Sequence, residues 1–434
     1  MGWRFRGEGA ANAVLAWEGP GGPPGDARVV RLRKAGGGRH LEGEGEGGEG
    51  RGGATAEALE REVWGAHAGA PGSPEAAAAF AEEFMRPVFG AFAWGGPAAP
   101  LREEVLPGGS AALTSALPAR LAAPGALAHP LQGLLLADAA AAPPTQPAAG
   151  PVVCLEIKPK SGVPLLPADW RALRPPGAPD DPPPGVALYA MQQAQRLAEG
   201  RVPRTSRYCP LELFSGDARR AARTLLHLMQ EPQNHFRAFR DGVPEASLLP
   251  GGLGGQWWPL GARSMAESVL GGGERAGAPG AEERLAQVLA EILTESGVLA
   301  QILRAQQQDR HGLVQALEAY EGLHQKEKLG APGRRAARQV LKNFSVGATA
   351  KDCAVMVALW KHAPEAAALP VGGDPHHVFD ASSCVGRLQG PTAPTGIAYH
   401  ISVIDLDRKP LRKIPGKFAD RRRSVAAFLA ASSA

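Results

Sequence analysis

Trp3-Arg4-Phe5-Arg6-Gly7-Glu8-Gly9-Ala10-Ala11-Asn12-Ala13-Val14-Leu15-Ala16-Trp17 reads as strand, glycine turn, strand. After a loop rich in Gly and Pro, Arg28-Val29-Val30-Arg31-Leu32-Arg33 gives a further short strand that mixes basic and apolar residues. Together they begin a small antiparallel sheet at the amino terminus. From Thr55, the apolar positions Ala58, Leu59 and Val63 with charged residues between them predict an amphipathic helix. A second strand group is expected at Leu131 to Ala137 and Val152 to Ile157, separated by an Ala/Pro-rich linker. The chain then turns helical, most clearly over Glu282 to Ala305, where Leu285, Val288, Leu289, Ile292, Leu299 and Ile302 can line one side and Gly297 kinks or splits the run.

With 434 residues the chain exceeds one ordinary hydrophobic core, and two packed lobes with a cleft between them are the expectation. A sheet-rich amino-terminal part followed by a larger helix-rich part is an α+β, two-lobed architecture of the protein-kinase kind. The boundary is drawn between residues 1–145, an N-lobe covering a nucleotide, and 146–434, a C-lobe for catalysis and substrate. Gly36 to Gly53 is mostly Gly, Glu and Arg and reads as a disordered insertion. Pro175 to Gly185, Leu249 to Gly255 and Gly271 to Gly280 read as surface loops.

The formal charge of +4 suits an anionic ligand but is far below that of a dedicated nucleic-acid binder. Cys154, Cys209, Cys353 and Cys384 are widely spaced with no C-x-x-C pair, so neither a disulfide framework nor a zinc ribbon is suggested. The amino terminus lacks the apolar core of a signal peptide, and no apolar run reaches the roughly 18 to 20 residues that cross a bilayer. A soluble, intracellular protein, monomeric and without nucleic-acid or membrane partners, is expected.

Several segments carry chemistry. The small residues of the Gly7–Asn12 turn would let backbone N–H groups approach phosphate oxygens, although a glycine hairpin without a ligand is the commoner case. It lacks a Walker ending and does not open a helix, so it resembles a strand-turn-strand phosphate cover. Arg31 can supply a strand-borne cation; taken alone, an exposed strand arginine is the better reading. In Cys154-Leu155-Glu156-Ile157-Lys158-Pro159-Lys160 an apolar strand ends abruptly in acid, base, proline and base, which sets two ammonium groups at its exit. Phosphate binding and a charged strand exit weigh equally there. Asp352, in Thr349-Ala350-Lys351-Asp352-Cys353, stands where a carboxylate can take a proton from a hydroxyl; a helix cap or a satisfied buried acid is the alternative. Asp405 follows the apolar run Ile401-Ser402-Val403-Ile404 and is placed like a magnesium ligand. Arg408 to Arg423 holds eight basic residues against the single acid Asp420, which suits a solvated surface, nucleic acid or a cradle for a polyanion. Its position beside Asp405 favours the cradle.

In their order along the chain these segments resemble the inositol-pentakisphosphate 2-kinase family. The matching pieces are Arg6 to Asn12 with Val29-Val30-Arg31, Glu156-Ile157-Lys158-Pro159-Lys160, Tyr208-Cys209-Pro210-Leu211-Glu212-Leu213-Phe214-Ser215-Gly216, Pro232-Gln233-Asn234, Ala348 to Cys353, and Ile404-Asp405-Leu406 leading to Lys409-Pro410-Leu411. The second and third are highly specific. The resemblance implies ATP and Mg2+ as cofactors and inositol pentakisphosphate as substrate. It implies a nucleotide site of Gly9, Ala10, Ala11, Asn12, Arg31, the interlobe Asp138, Glu156 and Arg237, with Asp405 on the metal. Arg120, Lys158, Lys160, Asn234, Lys409 and Lys413 would contact inositol phosphates, with Asp352 as base at the 2-hydroxyl.

The chain departs from the family pattern in three places. Leu188, Gln192 and Arg196 stand where an Arg, a His and a Lys are expected, and Lys417 replaces an aromatic phosphate ligand. Arg196 and Lys417, with Gln192 beside them, are expected to complete the substrate side. Plant members carry a Cys/His zinc site upstream of Thr349, whereas Glu318 to Asn343 has no cysteine, so no structural zinc is expected. A catalytically weak receptor for inositol phosphates is the competing reading, and a basic nucleic-acid-binding protein a third. Asp352 and Asp405 together favour the kinase, since a receptor needs neither a base nor a metal carboxylate.

Overall fold

The computed structural model describes residues 2–8, 12–18, 27–34, 52–65, 73–94, 98–102, 104, 106–123, 126–128, 132–143, 148, 150–232, 235–244, 265–270, 280–325, 329–361, 377–389 and 396–433. The fold is α+β, with two antiparallel sheets and helices packed around them. The first sheet contains β1 (Gly2–Glu8), β2 (Asn12–Glu18), β3 (Ala27–Arg33), β4 (Ala99–Pro100) and β5 (Gly133–Ala137), in the order β1-β2-β3-β5-β4. Trp3, Leu15, Val30, Leu32 and Leu135 form its own apolar cluster with Leu113, Leu117 and Leu121.

The second sheet contains β6 (Val153–Ile157), β7 (Phe236–Arg240), β8 (Val243–Pro244), β9 (Ala354–Lys361), β10 (His377–Asp380), β11 (Val385–Leu388) and β12 (Ile397–Ile404), in the order β10-β11-β12-β9-β6-β7-β8. All residues of β6 are buried, Glu156 included, so both faces of this mainly apolar strand are covered. The two strands expected as one group, β5 and β6, belong to different sheets. Their similar apolar runs carried no information about partners, which only tertiary pairing supplies.

Register in this sheet decides where the chemistry falls. Ile157 of β6 pairs with Val355 of β9 and with Phe236 of β7, and Ala354 of β9 pairs with Ile404 of β12. The exits after Ile157 and Ile404 and the entries before Phe236 and Ala354 therefore share one end of the sheet. Lys158, Asp405, His235 and Asp352 flank those points.

The helix expected from Thr55 occupies Gly52–Trp64, so Gly52 and Gly53 are helical rather than part of an insertion. Residues 36–51 lie outside the described residues, as do 249–255 and 271–279. The 175–185 loop is irregular as expected, and the buried Trp170 Nε1 donates to Pro179 O at 2.9 Å beneath it. The long helical run splits at Gly297 into Ala281–Glu295 and Val298–Gln306, bent by 65°. Gly297 has φ of 75°, a left-handed conformation that glycine adopts without a Cβ clash. Among the described residues no single helix is long and apolar enough to cross a membrane. Most of the described residues of 318–343 belong to the helices Gly312–His324 and Ala331–Ala350.

Candidate active site

Four chain segments meet at this end of the second sheet. Lys158 Nζ lies 3.1 Å from Asp405 Oδ2, and Lys160 Nζ lies 3.4 Å from Asp352 Oδ1. Lys409 Nζ reaches the other oxygen of Asp352 at 2.8 Å. Arg31 arrives from the first sheet, grips Asp407 with both guanidinium nitrogens and lies 3.8 Å from Asp405. Alternate lysines of one turn thus serve different aspartates, because Pro159 stands between them and ends the strand ladder.

That turn is held from all sides. Lys158 N donates to His235 O at 2.9 Å, and the Tyr208 hydroxyl donates to Pro159 O at 2.8 Å. A Cβ on Gly162 would stand 2.2 Å from the Phe214 ring, so only glycine allows this approach. The Tyr208–Gly216 segment is therefore structural to the turn, which accounts for its specificity as a motif. Lys160 has φ of 59° and Asp405 φ of 61°. A left-handed conformation costs a residue with a side chain roughly 1–2 kcal/mol, and such strain concentrates where surrounding contacts over-determine the backbone.

Electrostatics separates the groups. Burial would raise Asp352, but Lys409, Lys160 and Lys158 carry it far below the ordinary carboxylate range, so it is ionised at neutral pH. Its side chain is 51% exposed and reachable from solvent. Asp405 is likewise lowered, as burial is outweighed by Lys158 and Arg31. Burial lowers Lys160, and Asp352 restores only part of it. Burial lowers Lys417 to about 8, with the Lys409 charge adding to the effect. Burial and then Lys160 and Arg196 push His235 far down, which keeps its ring neutral. Arg196 approaches His235 Nε2 at 3.3 Å.

The remaining expected residues fall as follows. Gly9, Ala10, Ala11 and Asn234 lie outside the described residues, and Asn12 opens β2 opposite Arg33. Glu156 and Arg237 are cross-strand partners 3.9 Å apart, with the Glu156 carboxyl raised by burial. Asp138 follows β5, accepts from Ala140 N at 3.0 Å and lies 3.7 Å from Arg6. Arg120 is exposed on the helix Ala119–Ala122, beside the apolar cluster of the first sheet. Gln192 and Arg196 lie one turn apart on the helix Leu188–Ala198, while Leu188 is buried with Trp170, Met191 and Val425. Lys413 ends the short helix Leu411–Lys413, and burial and then Arg412 and Lys409 lower it. Lys417 lies one turn into Ile414–Ser433, with its Nζ 5.6 Å from the Phe344 ring centroid.

The basic run does not act as one surface. Arg408 turns away to Glu60 at 3.4 Å, both side chains 5% exposed, and lies over the Trp64 ring at 5.0 Å. Lys409 turns to Asp352, and Arg423 pairs with Asp420 at 2.8 Å on the exterior. Sequence reasoning gave no role to Asp407, although it was visible two residues beyond Asp405. It also passed over Thr349, whose hydroxyl donates to Asp407 O at 3.1 Å, and Asp309, which holds Lys351 at 2.9 Å. Single polar residues, Thr349 within a helix and Asp309 and Asp407 in connections, leave no periodic signal.

Chemically, this is an ionised, accessible carboxylate between two ammonium groups, beside a second carboxylate with its own cations. Among the described residues no group of three or more His, Cys, Asp or Glu side chains could hold a metal by itself. Asp405 fits a hard cation whose remaining oxygens come from phosphate and water, because its carboxylate is 33% exposed and oxygen-only.

A family model described as inositol-pentakisphosphate 2-kinase matches residues 5–421. A protein of Oryza sativa subsp. japonica named inositol-pentakisphosphate 2-kinase is 29% identical over 194 residues, covering 40% of this chain and 41% of the relative. Proteins of that name from Danio rerio and Arabidopsis thaliana are 37% identical over 100 residues and 25% identical over 287. These cover 21% and 61% of this chain, and 17% and 57% of the respective relatives. The chain therefore spans less than two thirds of the length of each.

Proposed function

Because the chain belongs to the inositol-pentakisphosphate 2-kinase family, we propose that it transfers the γ-phosphoryl group of ATP to the 2-hydroxyl of inositol 1,3,4,5,6-pentakisphosphate, giving inositol hexakisphosphate. The observation that carries this reading is Asp352, half-exposed and held by Lys160 and Lys409. An ionised carboxylate at that point can accept the 2-hydroxyl proton. The ammonium groups beside it each have three N–H donors, so one can bond Asp352 while others meet substrate phosphates. A substrate with five phosphates needs several fixed cations, and Lys158, Arg120, Arg196, Lys413 and Lys417, with Gln192 and Asn234, are assigned to the same task.

Asp405 is assigned to magnesium, which when bound with ATP neutralises charge on the phosphoryl group in transfer. Lys158 and Arg31 keep the Asp405 carboxylate ionised and oriented. Arg31, Asn12, Gly9, Ala10, Ala11, Asp138, Glu156 and Arg237 are assigned to the nucleotide. The contact of Arg31 with Asp405 and Asp407 supports a two-lobed, kinase-like division near residue 145, with a cleft that both sheets line.

Incubation with ATP, Mg2+ and inositol pentakisphosphate, resolved by anion-exchange chromatography, tests the reaction. A product eluting with inositol hexakisphosphate is expected. Tight substrate binding without turnover would make the chain a receptor instead.

A further inference from the structure

We infer that Gln306 is a positioning residue whose carboxamide fixes the lysine-bearing turn after β6 against the segment that carries Asp352. Gln306 ends the helix Val298–Gln306, and its side chain is completely buried. Its Nε2 donates to Lys160 O at 2.8 Å and to Ala350 O at 3.1 Å, while its Oε1 accepts from Gly162 N at 2.8 Å. Both amide hydrogens and the carbonyl oxygen are used, and the partners come from two segments far apart in sequence. The bonds to Lys160 and Gly162 lie on either side of the turn that holds Lys160 in its left-handed conformation. The bond to Ala350 secures the last residue of the helix Ala331–Ala350, two residues before Asp352.

Asp309, three residues beyond Gln306, holds the same segment. It holds Lys351 at 2.9 Å, and a Cβ on Gly347 would stand 2.6 Å from its own Cβ. The Lys160–Asp352 separation of 3.4 Å is thus set by a side chain that touches neither reacting group. A glutamate in place of Gln306 keeps the shape and the acceptor but turns an oxygen towards two carbonyl oxygens. A methionine removes all three bonds.

The inference rests on the kinase reading for its effect on turnover, but its geometry can be tested without turnover. In hydrogen–deuterium exchange of the unliganded wild-type chain, a peptide containing Gly162 should be protected like the strand β6. In Gln306→Glu and Gln306→Met, exchange should accelerate in peptides covering 158–163 and 349–353 but not in the first sheet. Turnover should fall about ten- to hundredfold, since small misplacements of reacting groups act on that scale. The KM for ATP should stay within about twofold. Lys160→Ala should lose much less activity in the Gln306→Met background than in wild type, because the lysine there no longer has a fixed position. An unprotected Gly162 peptide in wild type, or fully additive effects of Gln306→Met and Lys160→Ala, would overturn the inference. An inactive wild-type chain with the expected exchange pattern would reject the kinase reading and leave the clamp standing.

Discussion

Lys409 Nζ lies 2.8 Å from Asp352 Oδ2, joining the segment after β12 to the segment before β9. The contact follows from register, since Ile404 pairs with Ala354 and the two segments leave the sheet at one end. A lysine beside the base and free to share its donors should read a substrate phosphate. Lys409→Ala should raise the KM for inositol pentakisphosphate roughly tenfold to hundredfold, as expected for one charge-assisted bond of about 1.5–3 kcal/mol. Salt should weaken substrate binding in the same direction. A rise in the ATP KM alone would move Lys409 to the nucleotide side.

Asp405→Asn should raise the Mg2+ and ATP concentrations needed for half-maximal rate, since the proposed metal carboxylate is lost. Lys158, 3.1 Å away, would then face a neutral amide. Wild-type dependence on both would remove Asp405 from metal binding.

Lys417, lowered to about 8 chiefly by burial, predicts a pH effect on substrate affinity. It loses its proton as pH rises through that value, and a bound phosphate would favour the charged form. The KM for inositol pentakisphosphate should therefore climb between about pH 7 and 9.5, beside the ordinary lysine value of about 10.4, and Lys417→Ala should flatten the climb. The sign for stability is opposite: the unfolded chain holds this proton more tightly, so the unliganded fold gains stability as pH rises from about 8 towards the ordinary lysine value of about 10.4. Identical pH profiles for wild type and Lys417→Ala would exclude Lys417 from the substrate side.

Glu60 and Arg408, each 5% exposed, form a buried pair that fastens the helix Gly52–Trp64 to the segment bearing Lys409. Glu60 Oε1 also accepts from Leu411 N at 2.6 Å, so its carboxylate spans Lys409 on both sides. Glu60→Ala should cost about 1–3 kcal/mol, because the buried Leu411 N loses its acceptor and Arg408 loses the carboxylate beside it. Urea unfolding measures this, and a loss below about 0.5 kcal/mol, usual for a surface change, would contradict it.

Much of this site was legible in the sequence because its cations and carboxylates follow apolar strands. Glu156-Ile157-Lys158-Pro159-Lys160 and Ile404-Asp405-Leu406 each announce a strand and its charged exit. Sheet membership was not legible: β5 and β6 look alike, and only tertiary pairing separates them. Nor was the division of the basic run, because the direction of Arg408 depends on Trp64 and Glu60 more than 340 residues earlier. Gln306 was invisible for the same reason: its partners Lys160, Gly162 and Ala350 lie 44 to 146 residues away.

The measurement that bears most directly on the account is turnover and nucleotide binding by Asp352→Asn. The substitution keeps the side chain's shape between Lys160 and Lys409 but removes the basic oxygen. Turnover of inositol pentakisphosphate should fall by roughly 10²-fold or more, the scale of general-base catalysis, while ATP affinity stays nearly unchanged. Near-normal turnover in Asp352→Asn would contradict the assignment of the base and, with it, the proposed chemistry of the site.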